Sequence, residues 1–358
     1  MRVLAILCVR NEGAFLLEWL AHYRAAGFTD FLVFSNDCQD GTDAMLDRLQ
    51  GMGQLAHVRN GGPYGTEGIQ FTALKMADKH PQMKSADWVL VADIDEFPCI
   101  KTGDGTVAAL LAALPQADAV TLTWRLFGNG GAVAFEDRPV TEQFTRCAPE
   151  VIHWPWRAVM FKTLYRNDGT YGKCGVHRPR SIRDKARLET FRWFDCEGRE
   201  LGGDFKTKRL FSDYGRPNTQ LAQLNHYPLG AMESYVLKAD RGRVNRQAGL
   251  GMDYWVERNY AACEDHAIDR YAARRGTLQA GLMADAELAR LHRASVDWRK
   301  ARFRELMLAE ENRALFARLM MTPPARPLTA AEGAEMRRYA MLGLAAEGGR
   351  PPATPPGP

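Results

Sequence analysis

The chain has 358 residues, 46% of them hydrophobic and 25% charged, with a net charge of +4 at neutral pH. This is ordinary globular usage with enough apolar material for a large core, which excludes a disordered or collagen-like chain. The positive excess is too small to argue for a nucleic-acid partner. Seven cysteines occur without a C-x-x-C pair, which argues against zinc and thioredoxin-type chemistry. Their odd number fits a reducing cytosol.

In chain order, Val3 to Val9 is an apolar, β-rich run. It is too short to span a bilayer and is closed by Arg10-Asn11-Glu12, so it reads as a buried first strand rather than a leader. Phe15, Leu16, Trp19, Leu20 and Tyr23 follow at helical spacing, and Gly27 stops that helix. Phe31 to Phe34 predicts a second strand, followed by the turn residues Ser35-Asn36-Asp37 and a helix carrying Met45, Leu46 and Leu49. Leu55 to Val58 predicts a third strand, Ile69 to Ala77 a helix, and Trp88 to Ala92 a buried strand of the parallel kind. Alternating strands and helices imply βαβ units. In such sheets ligands bind outside the carboxyl ends of the strands. That rule gathers Arg10-Asn11-Glu12, Asn36-Asp37 and Asp93-Ile94-Asp95 at one edge.

From about 117 to 230 the pattern turns to mixed sheet and loops. Ala119 to Trp124 reads as a strand, Gly128 to Gly131 as a turn, and Arg157 to Thr163 and Leu188 to Phe194 as further strands. From 231 helices dominate, including stretches with Tyr235, Val236, Tyr254, Trp255, Tyr260, Ala261 and Ile268, and two later helices near 283–298 and 300–320. The Gly- and Pro-rich end reads as disordered. The expected organisation is a catalytic domain over 1–230, a helical region over 231–344 and a tail over 345–358.

Asp93-Ile94-Asp95 is the centre of the chemical reading. Two aspartates one residue apart, just past a buried strand, both reach the loop beyond it. A hard cation such as Mn²⁺ or Mg²⁺ prefers oxygen ligands and fills its remaining positions with water and phosphate. Pro98 is expected to end the element that follows. His226 adds an imidazole suited to Mn²⁺ or, protonated, to a phosphate.

These motifs resemble those of glycosyltransferase family 2, and still more those of family-92-type relatives. The likeness rests on the opening Val9-Arg10-Asn11-Glu12, Phe34 to Thr42, Val91-Ala92-Asp93-Ile94-Asp95-Glu96-Phe97, Trp124 to Gly130 and Asn225-His226-Tyr227, all in family order. It implies an α/β fold of the GT-A type (the Rossmann-like fold of nucleotide-diphospho-sugar transferases) with a helical C-terminal extension. It also implies a nucleotide-sugar donor, with UDP-sugars as the default, a divalent metal, and a glycan or lipid-linked acceptor. Asn36, Asp37 and Gln70 would lie on the nucleotide side. Asp93 would touch the ribose or a metal-bound water, Asp95 would bind the metal, and His226 would be a late metal or phosphate ligand. One departure stands out. Gly230-Ala231 replace a Lys-Ser pair of the relatives, leaving Lys238, Arg241 or Arg243 to supply the missing cation.

Transfer with inversion also needs a base for the acceptor hydroxyl. Glu136 and Asp137, with Glu142 and Asp204 behind them, are the candidates. His153 and His177 are weighed as sugar-side or phosphate-side residues. Competing readings are a D-x-D phosphatase and a degenerate nucleotide-sugar binder. The basic stretch Arg299, Lys300, Arg302 and Arg304, beside Trp298 and Phe303, is read either as a solvated helix face or as a peripheral contact with the inner membrane surface. The expected location is cytoplasmic.

Overall fold

A computed structural model describes residues 1–241 and 250–346. The N-terminal half has the expected alternation. Strands β1 (Val3–Val9), β2 (Asp30–Ser35), β3 (Ala56–Arg59) and β4 (Trp88–Ala92) are interleaved with helices α1 (Gly13–Ala25), α2 (Thr42–Gly51) and α3 (Gly68–Ala77). The strands lie in the order β3-β2-β1-β4, all parallel. Both faces are covered, which is why β1 is apolar throughout. Val3, Ala5 and Leu7 join one core with Leu16, Trp19 and Leu20, while Leu4 and Ile6 join another with Ala73 and Leu74.

Beyond β4 the sheet becomes mixed. Its further strands are β5 (Glu96–Ile100), β6 (Ala119–Leu126), β7 (Phe161–Arg166), β8 (Trp193–Asp195), β9 (Glu200–Leu201) and β10 (Ala222–His226). From β4 outward the order is β7-β6-β8-β9, with β7 antiparallel to both β4 and β6. Strand β6 serves two neighbourhoods. Residues 119–123 pair with β7, whereas 124–126 pair with parallel β10, which holds β5 antiparallel on its other side.

Several boundaries differ from the sequence reading. Pro98 does not end its element. It sits within β5, opposite Leu224, and among the described residues β5 pairs on one side only, where proline is tolerated. The stretch 157–163 divides into a 3₁₀ turn (Trp156–Val159) and the start of β7. The stretch 188–194 divides into the end of a helix (Lys185–Thr190) and β8, because the Asp184 side chain caps that helix at Arg187 N. Tyr260 is extended rather than helical and bridges to Ala325.

The C-terminal helices are α4 (Met232–Arg241), α5 (Ala272–Met283), α6 (Ala286–Leu306), α7 (Glu310–Met321) and α8 (Ala330–Ala346). Helix α6 runs through the expected break near 299 because no Gly or Pro interrupts it. Helix α8 falls almost wholly within the helical region expected over 231–344, although it is not among the individual helices expected there. Residues 347–358, most of the expected tail, lie outside the described residues. Among the described residues, no helix is long and apolar enough to cross a membrane.

The helical region packs onto the sheet layer. Ile268, Tyr271, Leu282 and Leu288 share the core of α1. Tyr235, Val236, Trp255, Leu306 and Leu319 form a core of their own. Ser295 of α6 donates to Asp40 Oδ2 at 2.9 Å, and the same oxygen accepts from Gly13 N at 3.0 Å.

Two glycines test this packing. A Cβ on Gly128 would lie 2.1 Å from Tyr260 O, a backbone atom with nowhere to go. Gly128→Ala is expected to lower unfolding free energy by about 1–3 kcal/mol. Gly276 lies inside α5 with open space around it, and Gly276→Ala should raise stability by about 0.5–1 kcal/mol. Urea titration of both variants checks the contrast. A third test concerns His22, fully buried with its Nε2–H donating to Pro98 O at 2.8 Å. Burial pushes its pKa down to about 3. The unfolded ring takes a proton below its ordinary value while the folded ring does not, so stability falls as pH drops. His22→Gln should remove about 2 kcal/mol of the wild-type loss between pH 7 and pH 5, read from urea midpoints at the two pH values.

Candidate active site

The ends of β1, β2 and β4 bring the three polar clusters to one edge. The first turn is shaped by Asn11, whose positive φ of 54° turns the chain and whose Oδ1 accepts from Gln39 N at 2.7 Å. Glu12 pairs with Arg241 of α4, and Arg241 also donates to Arg10 O at 2.7 Å. After β2, Asn36 Nδ2 donates to Asp37 Oδ2 at 3.3 Å, and Tyr64 OH donates to the same oxygen at 3.0 Å.

The two aspartates after β4 point to different partners. Asp93 Oδ2 meets Lys162 Nζ at 2.9 Å, and its Oδ1 accepts from Gln70 Nε2 at 3.3 Å. Lys162, from β7, is fully buried and lies 3.4 Å from Glu96 Oε2 as well. Glu96 Oε2 accepts from Asp93 N at 2.9 Å, and its Oε1 accepts from Trp124 Nε1 at 2.8 Å. Burial outweighs the attraction of Lys162 and drives the Glu96 pKa upward. The lysine, by contrast, stays charged: burial works against it, but Asp93 and Glu96 together raise its pKa.

Asp95 faces the opposite way. Its Oδ2 lies 2.7 Å from Lys238 Nζ and its Oδ1 lies 3.6 Å from His226 Nε2. The pairing of β5 with β10 causes this: His226 lies opposite Glu96, and Tyr227 N donates to Asp95 O at 2.8 Å. Burial pushes the Asp95 carboxyl up, but Lys238 and His226 more than reverse this and hold it well below the usual range. Burial depresses the His226 pKa despite the nearby carboxylate. The His226 ring packs against Trp124 at 4.2 Å between centroids, with His177 against the same indole at 5.7 Å. His177 Nδ1–H donates to Phe161 O at 2.9 Å, and burial takes its pKa down to about 4.

A pocket opens beside Asp95, walled by Asn11, Phe15, the 227–230 loop, Lys238 and Arg241 of α4, and Trp298 and Arg299 of α6. Lys238 and Arg241, two of the three cations considered as substitutes for the missing one, both line this pocket. Arg243 lies outside the described residues. At the departure itself, Gly230 has φ of 61°, a backbone region that favours glycine, and its carbonyl accepts from Asn129 Nδ2 at 2.9 Å.

Glu136 and Asp137 are not among the residues lining this pocket. Glu136 and Glu142 border a separate hollow, and Asp137 lies 3.1 Å from His292 Nε2. Asp204 pairs with Lys208 at 3.2 Å. His153 lies apart, its carbonyl accepting from Arg337 at 3.0 Å. The basic stretch on α6 does not form one face. Arg299 is buried, Arg302 pairs with Asp240 at 2.9 Å, and Lys300 and Arg304 face solvent. Sequence reading missed Lys162, a lone lysine in an apolar strand, and the inward turn of Arg299. Among the described residues, no three His, Cys, Asp or Glu side chains converge as a ready-made metal cluster.

A parallel half continued by a mixed sheet, with acidic residues at the carboxyl edge and a helical C-terminal region, defines a GT-A-like fold. The sequence profile of Glycosyltransferase family 92 matches residues 6–196, more than half of the chain. The chain belongs to that family and is a glycosyltransferase. Comparison with curated proteins finds no significant match. Among solved structures, S. aureus TarS 1-349 is similar at 16% identity and a TM-score of 0.29, over 47% of this chain and 47% of that one. Its complex with UDP aligns at 15% identity and a TM-score of 0.30, again over 47% of each chain. A putative glucose-1-phosphate thymidylyltransferase from Bacillus anthracis aligns at 10% identity and 0.27, over 46% of this chain and 72% of that one. The alignment thus spans less than half of the TarS fragment, and overlaps this loose carry no functional argument.

Lys162→Met leaves two carboxylates facing each other around an empty cation position. It is expected to cost about 3–5 kcal/mol of stability. Adding Glu96→Gln should recover part of that loss. Urea unfolding of the single and double variants measures both effects.

Proposed function

We propose that this glycosyltransferase takes its sugar from a nucleoside-diphosphate donor, with UDP as the expected nucleotide. We further propose that it uses Mn²⁺ or Mg²⁺ and delivers the sugar to a hydroxyl of a glycan or lipid-linked acceptor. The observation that carries this reading is the convergence of Asp95, His226 and Lys238 beside a pocket at the carboxyl edge of the parallel strands. Asp95 Oδ1 and His226 Nε2 face each other at 3.6 Å. A hard oxygen and an imidazole nitrogen suit Mn²⁺, with water and phosphate oxygens completing the shell. A cation held there supplies Lewis-acid stabilisation of the leaving diphosphate.

The chain's own residues do the rest. Lys238, anchored to Pro228 O at 2.7 Å, sets a positive charge beside the leaving group. Asp93, fixed by Lys162 and Gln70, faces the nucleotide side together with Arg10, Asn11, Glu12, Asn36 and Asp37. The buried Glu96–Lys162 pair holds the Asp93–Asp95 loop in shape from beneath. A second reading rests on the Lys238 ammonium, which lies 2.7 Å from Asp95. There it supports donor binding without metal.

Thermal unfolding with a panel of nucleoside diphosphates, with Mn²⁺ or with chelator, separates the two. Metal-dependent stabilisation by UDP, lost in Asp95→Asn, is the expected result; at one hundred times Kd the gain is about 2.7 kcal/mol. An equal shift in chelator would favour the metal-free mode. No shift with any nucleotide would refute the donor assignment.

A further inference from the structure

Among the described residues, the charges around the pocket pair off with one exception. Asp95 meets Lys238, Glu12 meets Arg241, and Asp240 meets Arg302. The nearby Asp40 carboxylate is engaged by Gly13 N, Ser295 Oγ and Thr42. Arg299 is left over. It is only 8% exposed, it lines the pocket, and its Nε is buried without a partner. Among the described residues, its guanidinium makes no ion pair. It lies over the rings of Phe15 and Phe135, at 4.6 and 5.1 Å from their centroids.

An unpaired buried cation is costly, and aromatic faces compensate it only in part. Burial pushes the pKa of this guanidinium down to about 10. The placement is also built rather than incidental. Arg299 lies four residues after Ser295 on the inner face of α6, and the Ser295–Asp40 bond pins that face to the start of α1. Asp137–His292 ties the same face one turn earlier. The helix thus delivers a planar, five-donor cation to a fixed point on the pocket wall, outside the segment that the family profile covers.

We infer that Arg299 is a binding residue for an anionic oxygen group, a phosphoryl group by preference, on a substrate held beside Asp95. Phosphate oxygens match the guanidinium fork and supply the charge the pocket lacks. Two sources have this chemistry: the diphosphate of the donor and an anionic group on the acceptor. The inference deepens the proposed donor reading, but its core, an anion on Arg299, stands without the nucleotide.

The test uses the full chain as wild type, Arg299→Met and Arg299→Lys, with calorimetric titration of inorganic pyrophosphate, of UDP, and of glycerol 3-phosphate in the presence of saturating UDP. Arg299→Met should melt at or above the wild-type temperature without ligand, because it removes an unpaired charge. It should also bind at least one of these anions tenfold or more weakly, with Arg299→Lys in between. Loss for pyrophosphate and UDP assigns the residue to the donor. Loss for glycerol 3-phosphate alone assigns it to the acceptor. Wild type that binds pyrophosphate but not UDP, with pyrophosphate lost in Arg299→Met, keeps the anion site and removes the nucleotide reading. Unchanged affinity for all three, or an Arg299→Met protein that unfolds, would overturn the inference.

Discussion

The split pairing of β6 is the constraint on which the site depends. Its first residues extend the main path of the sheet through β7, and its last three start a branch by pairing with β10. Because β10 then holds β5, the loop that carries Asp93 and Asp95 is clamped between two branches of the sheet. One end of that loop continues a parallel strand and the other begins an antiparallel one. His226 reaches Asp95 only through this register, although the two lie far apart in the chain. Glycine at 128 is required by the same geometry, since the chain leaving β6 passes directly against the backbone of Tyr260.

Charge is handled differently on the two sides of the loop. Beneath it, Lys162 is fully enclosed between Asp93 and Glu96, and Trp124 closes the set by donating to Glu96. A buried cluster of this kind is poor as net stabilisation but strict about geometry, because each member left unpaired is expensive. Above the loop, the charges border a pocket and are only partly buried. Asp95, Lys238 and Arg241 are each about one-fifth exposed, which leaves room for an incoming ligand to exchange partners with them. The fixed half sets the loop, and the open half borders the pocket.

The helical region completes the site. Helix α4 supplies Lys238 and Arg241, and helix α6 supplies Trp298 and Arg299. Helices α5 and α6 share apolar core with α1, so the walls contributed by distant parts of the chain are held at fixed distance from β1. Their apolar contacts place them, and their polar side chains face the pocket. The pocket on this edge therefore depends on residues well beyond the strands that carry the acidic loop.

What the sequence determined by itself was local. Apolar runs and helical spacing located β1, β2, β4, α1 and α2, and the rule that ligands sit past parallel strands gathered Asn11, Asn36 and Asp93 at one edge. These are properties of short windows with a strong period, and motif order supplied the family. Tertiary structure alone decided which charges meet. Nothing local says that Asp93 turns to Lys162 while Asp95 turns to His226 and Lys238, since those partners arrive through strand register across long separations. Pro98 looked like a terminator because the sequence does not reveal that β5 is an edge. Arg299 looked like part of a basic surface because composition counts charges without orienting them. Its burial follows from the face of α6 that Ser295 fixes against Asp40, a contact between residues that only the fold brings together.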